Sequence, residues 1–153
     1  MEIIRIDLAQ GDMVFELFDK YRVFYKQQSD IELARNFIQT RLDNDESVIF
    51  VALADDTRKP VGFTQLYPTY SSVRAIKNWI LNDLYVKEEY RKKGIGEKLI
   101  KTAMKFASDA GAGFVELSTA VDNYTAQSLY EQIGFRKQDP ETDFFTYRIG
   151  LTQ

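Results

Sequence analysis

The sequence predicts an α/β domain, a mixed β-sheet covered by helices, and three observations lead there. Segments of strand and helix character interleave in the order βααβββαβαββ, which a layered α/β architecture accommodates. The run Ser47 to Ala54 (S-V-I-F-V-A-L-A) is almost continuously apolar, as in a strand buried on both faces. The 153 residues carry 44% hydrophobic and 28% charged side chains, a globular composition, with no internal repeat, low-complexity tract or linker. The expectation is one undivided domain over residues 1–153.

Each element has its own signal. Glu2 to Asp7 alternates like a strand. After Gly11-Asp12, the apolar residues Val14, Leu17, Phe18, Tyr21, Phe24 and Tyr25 follow a helical spacing. Ser29-Asp30-Ile31-Glu32 reads as a capping box with Ser29 as the cap, opening a helix with Ile31, Ala34, Phe37, Ile38 and Leu42 on one face. The buried strand 47–54, the polar turn Asp55 to Pro60 and the strand Val61 to Tyr67 make a hairpin. Pro68 to Lys77 is expected to be a polar connection and Asn78 to Val86 the next strand. A basic glycine turn, Arg91 to Gly96, leads into a helix from Ile95 with Leu99, Ala103, Phe106 and Ala107 on one side. Gly111 and Gly113 end that helix, and Phe114 to Thr119 is a strand. Asn123 caps a helix to about Gln132, and short strands at Phe135 to Lys137 and Phe144 to Ile149 close the chain.

Composition limits the chemistry. Without Cys there is no disulfide framework, thiolate nucleophile or thiolate metal site. Without His a Ser–His relay is excluded, together with the commonest transition-metal ligand, so no metal is expected. Proton transfer falls to Asp, Glu, Tyr, Lys or water. No apolar run is long enough to span a bilayer, and the opening Met1-Glu2-Ile3-Ile4-Arg5 reads as a strand rather than a secretory signal. A cytoplasmic location with no membrane partner is expected. The formal net charge of −3 conceals a cluster of Lys87, Arg91, Lys92, Lys93, Lys98, Lys101 and Lys105 against only Glu88, Glu89 and Glu97. One local basic stretch on an acidic chain suits one anionic ligand; nucleic acid favours a broader footprint and is not expected. A solvated helix face of mixed charge accounts for the same pattern equally well.

Three motifs carry the functional reading. In Trp79-Ile80-Leu81-Asn82-Asp83-Leu84-Tyr85-Val86, two poor strand formers sit together inside an apolar run, so a plain pleat points one of them into a packed layer. A bulge or an open cleft resolves the conflict; a surface corner between two short strands is the alternative. The turn Arg91-Lys92-Lys93-Gly94-Ile95-Gly96 opens a helix whose exposed amides suit a phosphate, although a short G-x-G is often only a turn. It is neither a dinucleotide fingerprint, Leu99 standing where the third glycine belongs, nor a Walker loop. Asn123 and Tyr130 lie two helical turns apart on one face and are placed to line an elongated ligand, or serve only as cap and core aromatic.

In this order the motifs resemble the GNAT N-acetyltransferase superfamily, whose [RQ]-x-x-G-x-[GA] turn is matched at Arg91, Gly94 and Gly96. The resemblance covers essentially the whole chain and is strongest from Trp79 to Phe135. It implies a mostly antiparallel twisted sheet, flanked by helices and splayed between the fourth and fifth strands. It also implies acetyl-CoA as cosubstrate. The pantetheine arm would add along Leu84, Tyr85 and Val86. The pyrophosphate would rest at the turn formed by Arg91, Lys92, Lys93, Gly94, Ile95, Gly96 and Glu97. Asn123 would contact the arm, and Tyr130 would lie near the sulfur as the acid for the departing thiolate. The strand is similar to that of spermidine/spermine-type small-amine enzymes, with the pattern L-E-D-[LF]-[FY]-V, except that Asn82 replaces the Glu. Asn82, Asp83 and Tyr25 would face the amine, Asp83 would act as base, and a backbone N–H near Tyr85 would meet the oxyanion. Tyr21, Phe24, Tyr25 and the 68–77 connection either wall a small-molecule pocket or belong to core and surface. The implied partner is a small-molecule amine, and a homodimer is compatible with the resemblance. The rivals are a non-catalytic acyl-CoA sensor and an acetyltransferase acting on protein lysines or N-termini.

Overall fold

The computed structural model describes residues 1–152. The chain folds as two compact units, Met1–Ser118 and the segment from Thr119 onward.

The first unit is built on a five-stranded sheet in sequence order: β1 (Glu2–Arg5), β2 (Val48–Leu53), β3 (Pro60–Ser71), β4 (Ile76–Val86) and β5 (Val115–Glu116). The pairs β1–β2, β2–β3 and β3–β4 are antiparallel, and only β4–β5 is parallel. Period-2 alternation sends β2 side chains into two different layers. Ile49, Val51 and Leu53 join Leu17, Phe18, Ala34, Ile38 and Phe63 in the core under α1 (Phe15–Phe24) and α2 (Ile31–Asp43). Phe50 points the other way and meets Phe106 of α3 (Ile95–Asp109), which buries Leu99, Ile100, Ala103 and Ala107. A helix layer on each face explains why this strand has no polar side.

Several elements differ from expectation. The cap of α2 is Asp30, which accepts a hydrogen bond from the Leu33 amide (3.1 Å), while Ser29 donates its hydroxyl to buried Asp19 (2.6 Å). With Ser29 drawn away, no Ser29–Glu32 box forms. The 68–77 segment is mostly strand: Pro68 to Ser71 extend β3, and Ile76 and Lys77 begin β4. Its polar residues lie near the tip of a long hairpin, where neither face must be covered. The strand expected at 114–119 shrinks to two residues. Asn78 Oδ1 accepts from the Gly113 and Phe114 amides (2.9 and 3.0 Å) and ties that chain to β4. The pairing then covers only Trp79–Val115 and Ile80–Glu116, so β4 runs on from Leu81 to Val86 without β5 beside it. This is the expected splay.

In the second unit, α4 (Tyr124–Ile133) is capped by Asn123, whose Oδ1 accepts from the Ala126 amide (3.1 Å). Gly134 ends it at φ 123°, a conformation that favours glycine. The two closing strands, 135–137 and 144–149, are not formed among the described residues. Phe144, Phe145, Tyr147 and Ile149 are exposed, and a strand without a paired neighbour has no ladder to hold it.

Candidate active site

The conflict within β4 is resolved by a β-bulge. Gln65 of β3 pairs with Asp83 and Leu66 pairs with Leu81, leaving Asn82 as the extra residue. The bulge turns Asn82 outward and carries Asp83 into the interior, where it is 2% exposed. A buried carboxylate requires donors, and Asp83 has them. Asn82 Nδ2 reaches Oδ1 at 2.8 Å and Gln65 Nε2 reaches Oδ2 at 2.5 Å. Tyr21 of α1 donates to the Asn82 carbonyl (3.3 Å) and interacts with the carboxylate. Burial pushes the Asp83 carboxyl above the usual carboxylate range, opposed by the hydrogen bonds from Asn82, Gln65 and Tyr21. Burial, followed by the negative charge of Asp83, holds the Tyr21 and Tyr67 phenols in their protonated form.

Next to this carboxylate lies a length of open strand edge. Lys87 N donates to Val61 O (2.9 Å), which fixes the alternation of the antiparallel ladder. In that register Asp83, Tyr85 and Lys87 turn their amides toward β3, whereas Leu84 and Val86 turn theirs toward the side β5 has left. The Tyr85 N–H is therefore committed to the ladder, and of the backbone N–H groups near Tyr85, where an oxyanion donor is expected, those on the edge are Leu84 and Val86. The Val86 carbonyl accepts from Arg91 Nε (2.8 Å), and the Arg91 guanidinium lies over the rings of Tyr85 (5.4 Å) and Phe24 (5.5 Å).

Beyond β4 a short 3₁₀ turn, Glu88–Tyr90, leads into the basic glycine turn and α3. Lys92 (φ 62°) and Gly94 (φ 80°) adopt left-handed backbone, an arrangement that gathers successive N–H groups into an anion-binding concavity. Gly94 caps α3 with no side-chain hydrogen bond, and a Cβ placed at Gly94 or Gly96 meets no atom within 4 Å. The space beside both glycines is thus open, as close approach of a pyrophosphate to the helix start needs. The residues present fit the phosphate end of the implied cosubstrate.

Of the residues singled out in the sequence, Asn82, Asp83, Leu84, Val86, Arg91 and the glycine turn form one continuous stretch of the first unit. Tyr25 is 57% exposed and touches Tyr21 edge-on (ring centroids 5.0 Å), so Tyr21 is the α1 side chain at the carboxylate. Asn123 and Tyr130 belong to α4 in the second unit, where Tyr130 packs edge-on with Phe135 (6.1 Å). Sequence reasoning missed Gln65, Ser47, Thr64 and Tyr67. The signal for Gln65 was present, since V-G-F-T-Q-L-Y sets an amide inside an apolar strand as surely as Asn82-Asp83 does. Among the described residues no group of three or more His, Cys, Asp or Glu is placed to hold a metal, and no helix is long and apolar enough to cross a membrane.

The first unit thus combines an α/β layering, a sheet opened along one edge, a glycine-rich helix start with open space at its glycines, and a buried carboxylate. A sequence profile of the Acetyltransferase (GNAT) family matches residues 12–135, and the chain belongs to that family. An uncharacterized N-acetyltransferase of Bacillus subtilis (strain 168), YhfO, is 41% identical over 99% of this chain and 98% of its own length. A crystal structure of a probable acetyltransferase superposes with a TM-score of 0.88 at 40% identity, covering 100% of this chain and 99% of that one. The thialysine N-epsilon-acetyltransferase of Bos taurus is 39% identical over 74 residues, 48% of this chain and 43% of its own. The protein is accordingly an acyltransferase of a family that uses acetyl-CoA to acetylate amines.

Proposed function

We propose that the chain acetylates a primary amine of a small molecule by direct attack within a ternary complex, with Asp83 as the proton acceptor. The observation that carries this reading is the bulge at Asn82, which brings a buried carboxylate beside the open β4 edge. Bound acetyl-CoA supplies a thioester carbonyl. The edge groups of Leu84 and Val86 hold its pantetheine arm, and the Arg91–Glu97 turn holds its pyrophosphate. An alkylammonium has a pKa of about 10 and must lose a proton before it attacks. Asp83 draws the cation in and takes that proton directly or through one water. The Leu84 N–H, adjoining Asp83 and turned to the open edge, stabilises the oxyanion. The family resemblance alone assigns Asn123 to the arm and Tyr130 to the leaving thiolate, whose pKa is about 8.5. Tyr21, Tyr67 and Asn82 surround the carboxylate and are the groups an acceptor amine would meet. The similarity over about half the chain to a thialysine N-epsilon-acetyltransferase supports a small-molecule amine as acceptor.

The test is a panel of alkylamines, amino acids and lysine peptides assayed for CoA release with the wild type and Tyr130→Phe. A small amine is expected to turn over in preference to peptides. Tyr130→Phe should lower kcat about 100-fold with little change in acetyl-CoA affinity. Acetyl-CoA binding without turnover of any amine would instead identify a sensor. Full kcat in Tyr130→Phe would show the hydroxyl to be a bystander.

A further inference from the structure

Among the described residues, six polar or charged ones are buried: Asp19, Ser47, Thr64, Gln65, Asn78 and Asp83. Asp19 holds the start of α2 through Ser29 and the Asp30 amide (2.6 and 2.8 Å), and Asn78 ties down the start of β5. The other four form one network. Thr64 Oγ1 donates to the Asp83 carbonyl (2.8 Å), Ser47 Oγ donates to Gln65 Oε1 (2.7 Å), and Gln65 Nε2 donates to Asp83 Oδ2. Unlike Asp19 and Asn78, which accept from backbone amides, the Ser47–Gln65 pair runs from side chain to side chain and ends on the Asp83 carboxylate. A buried amide and hydroxyl are an expensive way to fill a core position that an apolar residue fills without desolvating a polar group. What they do is address one oxygen of one carboxylate.

We propose that Gln65, keyed by Ser47, is a positioning residue that aims Asp83 and keeps it a hydrogen-bond acceptor. An ionised carboxylate only accepts, so the facing end of the Gln65 amide must be its NH₂. The amide oxygen then faces Ser47, whose hydroxyl must donate. The ionised carboxylate thus sets the orientation of the amide, Ser47 satisfies the oxygen at its other end, and the β2–β3 ladder fixes where its N–H points. Each donor held on the carboxylate favours the charged form against the effect of burial. The other groups facing Asp83 are Tyr21 from α1, Tyr67 on β3 and Asn82 on β4 itself, with the Arg41–Glu46 pair (3.0 Å) acting on Tyr67 from the end of α2. No Lys or Arg is paired with the Asp83 carboxylate among the described residues, so neutral donors alone hold its charge. The mechanistic importance of the clamp rests on Asp83 being the base; the clamp itself does not.

The experiment is a ¹³C carboxyl titration of the intact protein, with the Asp83 resonance assigned by its loss in Asp83→Asn. Gln65→Met keeps the volume and removes the donor. The Asp83 titration should then move up by about one pH unit or more, the scale of a lost hydrogen bond to the charged form. Amine kcat/KM should fall while acetyl-CoA affinity stays constant. An Asp83 titration unchanged by Gln65→Met would overturn the proposal. If Gln65→Met does not fold, Ser47→Ala provides the second reading. It should shift Asp83 in the same direction by less, and Ser47→Thr, which keeps the hydroxyl, should restore it. A Ser47→Ala titration identical to wild type would equally overturn the clamp. Should Gln65→Met shift Asp83 while Asp83→Asn retains full amine turnover, the clamp stands and the assignment of Asp83 as base falls.

Discussion

Asp83 is held in a tension that can be read as stability. Its carboxyl is pushed upward by burial, and the unfolded chain returns it to the ordinary carboxylate range. The unfolded state therefore gives up this proton more readily than the folded state. Above the folded-state pKa the carboxyl is ionised in both states, and folding bears the full desolvation of a charge. As pH falls through the folded pKa toward the unfolded value, that penalty is relieved, and below both it vanishes. Asp83→Asn removes the charge wherever the carboxyl is ionised. The network can accept the new NH₂ group, because Gln65 can turn over and Ser47 can switch from donor to acceptor. We expect Asp83→Asn to melt higher than wild type at pH 7, with the difference shrinking as pH is lowered. A variant that melts lower at every pH would mean that the hydrogen bonds outweigh the desolvation. Function then explains the less stable residue, a common relation at active sites.

The glycine turn and α3 act as one unit, and the two glycines are not equivalent. Gly94 sits at φ 80°, so any replacement there strains the backbone as well as crowding a ligand. Gly96 lies in the first turn of α3 with ordinary backbone and open space where a Cβ would stand. An Asp at that position favours the helix macrodipole by about 0.5 kcal/mol while putting negative charge where the pyrophosphate would rest. Gly96→Asp is therefore expected to keep or slightly raise the melting temperature and to weaken acetyl-CoA by at least tenfold, about 1.4 kcal/mol, measured by calorimetry. Undiminished affinity would remove the phosphate from this turn. The turn was legible in the sequence because its signal is local, made of glycine spacing and charge. The same holds for β2, α1, α3 and the Asn123 cap, whose patterns need no distant partner to be read. What sequence could not supply was pairing. The place where Asn78 ties β5 down, the β3 residue that meets Asp83, and the diversion of Ser29 to Asp19 depend on contacts between segments far apart in the chain. The contradiction at Asn82-Asp83 was visible, but only the register shift shows which of the two goes inside.

The arrangement of the whole molecule bears on the order of events. The β4 edge, the carboxylate and the glycine turn occur along one continuous stretch of chain, from Asn82 to Glu97, and on the proposed reading donor and acceptor are held there together. A two-step route through an acetylated enzyme needs a nucleophile that is activated before the amine arrives. This chain has no Cys, and no His to deprotonate a Ser or Thr. A Lys could be acetylated, but the amide formed would be a poor donor for a second transfer. The buried Asp83 is enclosed by amides and phenols and, among the described residues, no Lys or Arg is paired to it, an environment suited to taking a proton. Direct transfer is therefore expected. Initial rates at varied acetyl-CoA and amine should give intersecting double-reciprocal lines, the pattern of a ternary complex. Intact mass spectrometry after exposure to acetyl-CoA alone should show no stoichiometric adduct at an active-site residue. The two measurements must agree, because slow surface acetylation of lysines can add mass without lying on the catalytic path. Parallel lines together with a chemically competent acetyl-enzyme would refute direct attack and require a nucleophile among the hydroxyl residues near the β4 edge.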